Sequence, residues 1–414
     1  MASPPWRAKS ASWPPPRNPR EHSPVSISAS VRVGAFMSAL FGTFAIVGAF
    51  LPLFMADTGL SAQQIGTVLA MASLVRIFTG PSWGMLADRL GQRRIVMASA
   101  ACVAACTALA LLAARTIPNH AFVIIALLIA CQGAATSALG PLSDSLALAL
   151  AREGRIQYGP PRAAGSATFM VISAIGGQVV GLFGTIIVPI LLACGFVTAA
   201  LVARSLPEPA SPVASRRHFT GGLAGVVAVL RIPEFRLTLA SSALIQGSHA
   251  AFYSFGPLHW RSLGITDGTI GLLIAIGIVA EVAFFMWGRR LIELLGPAGL
   301  TLGAAVAGIV RWSVTAITGD LAILFAVQAL HAVTFAFQHQ SSMLMLQRVI
   351  PPERASTAQA LHMALGAGVP MGTMTFLSGF IYERYGGRLF FLMALLCVLA
   401  VPLVPLLRRP RSLG

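Results

Sequence analysis

From Val33 onward this chain is a succession of apolar runs, each close to the ~20 residues that a helix needs to cross a hydrocarbon core. Twelve can be drawn, over residues 33–56, 65–86, 95–114, 121–150, 163–184, 186–204, 237–260, 269–288, 299–317, 321–347, 355–381 and 387–407. Lipid offers no hydrogen bonds, so a chain crossing it must satisfy its peptide groups within itself, and runs of this length do so as α-helices. The expectation is an all-α membrane protein with twelve transmembrane helices. Composition agrees: at 56% hydrophobic and 10% charged, the chain has too few polar side chains to cover a water-soluble globule.

A formal net charge of +16 would point to nucleic acid in a soluble protein, so the position of the charges has to decide. With the N-terminus inside, the cytoplasmic segments collect 23 of the 29 basic residues, against four outside and two within spans. This asymmetry is the positive-inside rule; it puts both termini in the cytoplasm and leaves no need for a nucleic-acid partner. The five cysteines all fall within apolar runs, show no metal-ligand spacing or disulfide framework, and read as small buried hydrophobes.

Residues 1–31, rich in Pro, Ser and Arg, lack the apolar core of a signal peptide and are expected to be a disordered tail. The longest polar interruption, 205–236, contains Arg216-Arg217 and reads as a cytoplasmic linker between two six-helix bundles, 32–204 and 237–408, with a short tail at 409–414. The bundles repeat each other. At a constant offset of 205 residues, Gly42, Pro52, Gly59, Ile65, Gly66, Ala70 and Gly91 match Gly247, Pro257, Gly264, Ile270, Gly271, Ala275 and Gly296. Six spans precede the second copy, so both copies enter the membrane in the same direction, as in a parallel pseudo-repeat about an axis along the membrane normal.

Ionisable residues inside the runs mark the candidate site, since each costs roughly 2.5–3.5 kcal/mol at the bilayer centre on insertion scales. Glu281, Arg311 and His331 lie in spans eight, nine and ten and could form one buried cluster if those helices meet. At the repeat offset Arg76 of span two stands opposite Glu281, which invites a role between the halves. Gln246, His249 and Tyr253, spaced i, i+3 and i+7, are expected to share one face of span seven, where they could line a cavity. His339 and His362 read as packing or helix-end residues, and Gly181, Gly184, Gly366, Gly368 and Gly372 as close-packing contacts.

The loop after span two reads Gly84-Met85-Leu86-Ala87-Asp88-Arg89-Leu90-Gly91-Gln92-Arg93-Arg94. Gly84 would let two helices approach closely, Asp88 can accept hydrogen bonds or meet a basic partner, and Gly91 permits a tight turn. Arg93 and Arg94 read as positive-inside anchors. The loop resembles the signature G-x-x-x-D-R-x-G-x-R-R of the major facilitator superfamily, and the resemblance implies that Asp88 and Arg89, with Gly84 and Gly91, belong to a gate closing the cytoplasmic side. The second-half loop, Gly288-Arg289-Arg290-Leu291-Ile292-Glu293, lacks the Asp, so the first copy alone is expected to gate in this way.

Within that superfamily the chain is similar to the phenylpropionate permease branch and, more distantly, to the lactose-type proton symporters. The similarity rests on Pro141 to Ser145, Tyr158-Gly159 with Arg162 and Gly165-Ser166, Gln246 to Tyr253, Val279 to Val282, Val310 to Trp312 and Gln328 to His331. It implies that Glu281, Arg311 and His331 serve substrate recognition and proton coupling, and that Asp144 with Arg162 resembles an acid and arginine pair used for substrate. One departure is Thr334, which stands where the lactose-type relatives carry a second acid. Proton coupling would then rest on Glu281 or His331.

The sequence contains no phosphate-cradling loop with Lys and Ser or Thr, no catalytic triad and no HExxH, so neither an ATP-driven pump nor an enzyme is expected, and no cofactor or metal. The expected activity is that of a secondary transporter importing a small aromatic carboxylate with a proton, acting as a monomer in a bacterial-type inner membrane. Arg311 would hold the carboxylate and Glu281 the proton, while His331, Gln246, His249 and Tyr253 orient the substrate. The alternatives are a sugar or nucleoside importer or drug exporter of the same fold, or a ligand receptor without net flux.

Overall fold

The computed structural model describes residues 27–209 and 222–407. The expectations for residues 1–26, for Arg216-Arg217 and for the C-terminal tail lie outside the described residues. Within them the chain is helical and contains no strand. The first six spans are Ile27–Asp57, Ala62–Leu90, Arg93–Ala110, Ala121–Thr136 continued by Leu139–Arg152, Gly159–Phe183 and Ile187–Arg204. A short helix, Gly222–Leu230, closes the linker, and span seven then begins at Pro233. Spans eight and nine are Asp267–Trp287 and Arg289–Ile317; span ten runs from Leu321 to Val349, eleven from Ala355 to Tyr385 and twelve from Leu389 to Leu407. Helix thus begins at Ile27 and Pro233, ahead of the boundaries at 32 and 237 read from hydropathy.

Ten stretches are individually long and apolar enough to cross a membrane. Pro352–Leu407 counts as one of them but turns at Gly386 into two spans. Span seven is missed because it breaks at Ser248-His249 into Pro233–Gly247 and Ala250–Ser262, each too short to qualify alone. Twelve crossings result.

The repeat carries its own start and stop signals. Ser61 caps span two by accepting from the Gln64 N–H, and Thr266, 205 residues on, caps span eight by accepting from the Thr269 N–H. The matched glycines Gly59 and Gly264 adopt φ of 92° and 81°, and Gly91 and Gly296 adopt 63° and 57°, a region that a side chain would strain. Packing follows the same plan: span one against five, two against four and three against six, echoed by seven against eleven, eight against ten and nine against twelve.

The halves meet where span two lies on eleven and five on eight, with one against seven between them. These first two contacts are one contact made twice. A Cβ on Gly66 would stand 2.9 Å from the Cα of Gly379, and one on the repeat-matched Gly271 would run into the Ser173 carbonyl and lie 3.3 Å from the Cα of Gly177. Both contacts lie toward the end of the bundle opposite the signature loop. An ionic clasp closes that same end: Arg261 donates from Nε and Nη2 to Asp267 (2.9 and 2.7 Å) and from Nη1 to both oxygens of Asp57 across the halves (3.1 Å each). Thr185 donates to Asp57 at 2.6 Å, and the Gln63 N–H donates to Glu383 at 3.2 Å.

Two readings need correction. Cys102, Cys106, Cys131 and Cys194 are exposed, and of the five cysteines Cys397 alone is buried, because a helix in lipid turns apolar side chains outward as readily as inward. Arg93 is more than an anchor: 7% exposed, it donates to Ser145 of span four at 3.3 Å.

Candidate functional site

Local breaks in two helices build the site. Span seven turns at His249, and span ten widens into a π-helical turn over Ala332–Ala336, just after His331. Such turns re-aim side chains within a helix and recur at functional sites. Here they bring His249, His331 and Thr334 onto Arg311 of span nine, which is 0% exposed.

Arg311 makes its side-chain hydrogen bonds within its own half, and its Nε is buried with no partner among the described residues. Its Nη1 donates to Thr334 Oγ1 (2.9 Å) and His331 Nδ1 (3.1 Å), and its Nη2 donates to Gln328 Oε1 (2.7 Å). The guanidinium carbon lies 4.6 Å from the Phe252 ring centre and 4.4 Å from that of Trp312, and those two centres are 6.1 Å apart, so the rings shield adjoining sides of the group. Trp312 is itself pinned by donating to Ser248 at the break of span seven, 3.0 Å away.

The hydrogen bonds have a fixed sense, because arginine has donors and no acceptor. With Nδ1 receiving from Arg311, a neutral His331 carries its proton on Nε2, which lies 3.3 Å from Glu281 Oε2. His249 contacts the Ile245 carbonyl through Nδ1 (2.9 Å), so Nδ1 donates and Nε2 accepts from Thr334 at 3.0 Å. Thr334 therefore relays between Arg311 and His249 in place of the second acid. Glu281 is the outlet of the network: its side chain is 20% exposed, against 3% for that of His331.

Beside His331 and Glu281's helix is a small enclosed pocket of about 30 Å³, walled by Phe252 and Tyr253 of span seven, Gly277 of span eight, His331, and Phe169 from the first half. His331 stacks on Phe335 with ring centres 5.3 Å apart, and Tyr253 meets His331 edge-on at 6.3 Å. The surface is largely aromatic, and its His331 leads to Glu281.

Other expected residues fall differently. Gln246 is buried with no partner for its Oε1 among the described residues, and it is absent from the His249 network, because the break at Ser248-His249 spoils the shared face that an unbroken helix would give. Asp144 and Arg162 do not pair directly. Tyr158 donates to Asp144 at 3.2 Å, while Arg162 donates to Ser166 at 3.1 Å and covers the Phe41 ring at 4.3 Å. Arg76 and Glu281 form no ion pair; Arg76 is exposed on span two with no partner among the described residues. Gly91 caps span two in the left-handed region, and Arg89 is exposed. A Cβ on Gly84 would meet nothing within 4 Å, so no helix approaches there. The Asp88 side chain lies outside what is described.

Sequence reasoning missed the aromatic cover of Arg311, although Trp312 adjoins it, and the clasp on Arg261. That clasp had a signal: Asp57, Arg261 and Asp267 all flank the repeated loops.

Two six-helix bundles around a polar, partly solvated cluster at mid-membrane define a secondary transporter. A family model described as "MFS_1 like family" matches residues 35–393, and the chain belongs to that family of membrane transporters. It is 30% identical over 371 residues to the "Probable 3-phenylpropionic acid transporter" of Escherichia coli (strain K12), covering 88% of this chain and 95% of that one. It is 28% identical to the maltose permease of Geobacillus stearothermophilus, over 93% and 97% of the two chains. Among solved structures, the nucleoside transporter NupG superposes with a TM-score of 0.78 at 17% identity (93% of this chain, 100% of that one). A bacterial homologue of the lysosomal transporter Spinster, inward-facing and occupied, superposes with a TM-score of 0.75 at 12% identity (93% and 97%).

Proposed function

We propose that this protein imports a small aromatic carboxylate together with a proton, as a monomer in a bacterial-type inner membrane with both termini in the cytoplasm. The observation that carries the reading is Glu281, partly open to solvent and joined through His331 to Arg311, with His331 lining a small pocket walled by Phe169, Phe252 and Tyr253. An ionisable acid is costly inside a membrane and is kept there for use. Aromatic walls match an aromatic substrate, and the 30% identical relative is named for 3-phenylpropionic acid.

The transport cycle follows from the charges. Binding an anion beside a buried cluster favours uptake of a proton at Glu281, so that the loaded site crosses the occluded state with less unpaired charge. Reciprocity requires protonation of Glu281 to tighten substrate binding. The two bundles then rock about the paired contacts between spans two and eleven and spans five and eight. With the end bearing Arg261 shut, this conformation is the one that exchanges substrate with the cytoplasm.

The test uses purified protein in proteoliposomes. Wild type should accumulate 3-phenylpropionate when given only a proton gradient. Glu281→Gln, a permanent mimic of the protonated acid, should retain counterflow and lose accumulation. Accumulation by Glu281→Gln would remove Glu281 from coupling, and absence of any 3-phenylpropionate counterflow in wild type would refute the substrate class.

A further inference from the structure

We propose that Arg76 of span two, and not Arg311, is the cation that holds the substrate's carboxylate; this rests on the aromatic-carboxylate reading above. Both guanidinium groups sit in mid-membrane spans, but their surroundings are opposite. Arg311 is 0% exposed, gives its Nη groups to Thr334, His331 and Gln328 and has the Phe252 and Trp312 rings beside it, so a carboxylate could reach its unpartnered Nε only if the surrounding helices parted. Arg76 is exposed, and no hydrogen bond or ion pair occupies it among the described residues.

Helical phase shows where that exposure points. Leu74, Phe78 and Met85 are 44%, 75% and 56% exposed and form the outward apolar face of span two. Arg76 lies about half a turn from them. One flank of the helix is taken by span four, where Thr79 meets Ser137 at 3.0 Å and Trp83 donates to the Ala134 carbonyl at 2.8 Å. The other flank is taken by span eleven, with Ser73 and Ile77 against Gly372 and Gly368. Arg76 occupies the arc between these flanks, away from lipid, and so faces the space between the halves. The repeat offset sets it at the depth of Glu281.

An accessible guanidinium fork with no partner among the described residues is what a carboxylate requires for two parallel hydrogen bonds. Arg162, the other first-half cation near this level, is already committed to Ser166 and the Phe41 ring. Substrate would thus be held by its charge from the first half and by its ring from the second, which ties closure of the halves to occupancy of the site. Arg311 becomes a positioning residue that fixes the His331 ring toward Glu281.

The experiment compares binding of 3-phenylpropionate with its neutral amide, 3-phenylpropanamide, to the purified full-length protein by calorimetry. Wild type should prefer the acid. Arg76→Gln should weaken acid binding by about 10-fold or more while leaving amide binding unchanged, which also shows that the variant is folded. Arg76→Lys keeps the charge without the fork and should bind the acid with an affinity between the two. An undiminished preference for the acid in Arg76→Gln, or wild-type affinity in Arg76→Lys should the Gln variant not fold, overturns the assignment and leaves the substrate class standing. Absence of acid preference in wild type defeats the substrate class and this assignment together.

Discussion

In the first half of the molecule the mid-membrane cation Arg76 is exposed and unpartnered among the described residues. At the same depth in the second half Glu281 is linked through His331 to an Arg311 that solvent does not reach. The backbones carrying them are nearly interchangeable: the caps Ser61 and Thr266, the left-handed Gly59 and Gly264, and the inter-half contacts of Gly66 and Gly271 all recur at one offset. The scaffold is copied and the chemistry divided. One half holds a polar network assembled in advance, and the other presents an open charge to whatever enters between them.

That contrast breaks most readily at Arg311. Arg311→Gln would leave His331 Nδ1 and Thr334 without their donor and Phe252 and Trp312 without the cation beside them, and breaking a buried charged network costs about 3–5 kcal/mol. A large fall in thermal midpoint and loss of transport are expected. Arg76→Gln should lower the midpoint far less, since it deprives no hydrogen-bonded partner among the described residues. Equal destabilisation by the two variants would mean that Arg76 is as deeply committed as Arg311.

A smaller effect is expected at the clasp. Arg261 is partly exposed, so its pairs are screened, and their loss in Arg261→Gln should shift the balance toward opening of that end by about 1 kcal/mol, roughly fivefold. Labelling of an Ile278→Cys probe in the pocket beside His331 by an impermeant thiol reagent added on the side bearing Arg261 should accelerate accordingly. Unchanged labelling would assign closure to the glycine contacts alone.

The smallest effects concern the loops at the other end. The repeat places Glu293 opposite Asp88, so an acid survives in the second copy, although it pairs with Arg289 at 2.8 Å on an exposed surface. Asp88→Asn should raise the inward-facing population and slow transport with substrate affinity largely intact. Glu293→Gln should be nearly silent, because solvent screens a pair as exposed as this one. Comparable slowing by both would show that the two copies gate alike.

What could be read from sequence followed from the solvent. Lipid forces each span to be a long apolar helix, and turns need glycine, so the twelve crossings and the matched Gly59, Gly91, Gly264 and Gly296 are visible in the bare chain. The meeting of Glu281, Arg311 and His331 was also legible, because unpaired ionisable groups are too costly to scatter across neighbouring spans. The side chains around them depend on departures from regular helix that leave little trace in composition. Gln246 was wrongly grouped with His249 because the break at Ser248-His249 falls between them. Thr334 reaches Arg311 from a π-helical turn that a 3.6-residue wheel does not contain. The aromatic cover on Arg311 depends on how spans seven and nine cross, which hydropathy does not encode.

The glycine contacts between the halves also bear on speed. Where Gly66 meets Gly379 and Gly271 meets Gly177, backbone lies directly on backbone, although the Gln178 side chain packs on Gly268 and that of Ile77 on Gly368 farther along the seams. Parting such backbone contacts requires no rotamer to be unthreaded, and rejoining them freezes no side-chain freedom, a term of up to ~2 kcal/mol for each long side chain. At these two points the seam is tight in the manner of a polished joint, with little friction to overcome on release. The dwell time of the closed state then falls to the ionic clasp on Arg261, and ionic strength on that side of the membrane becomes a control on turnover.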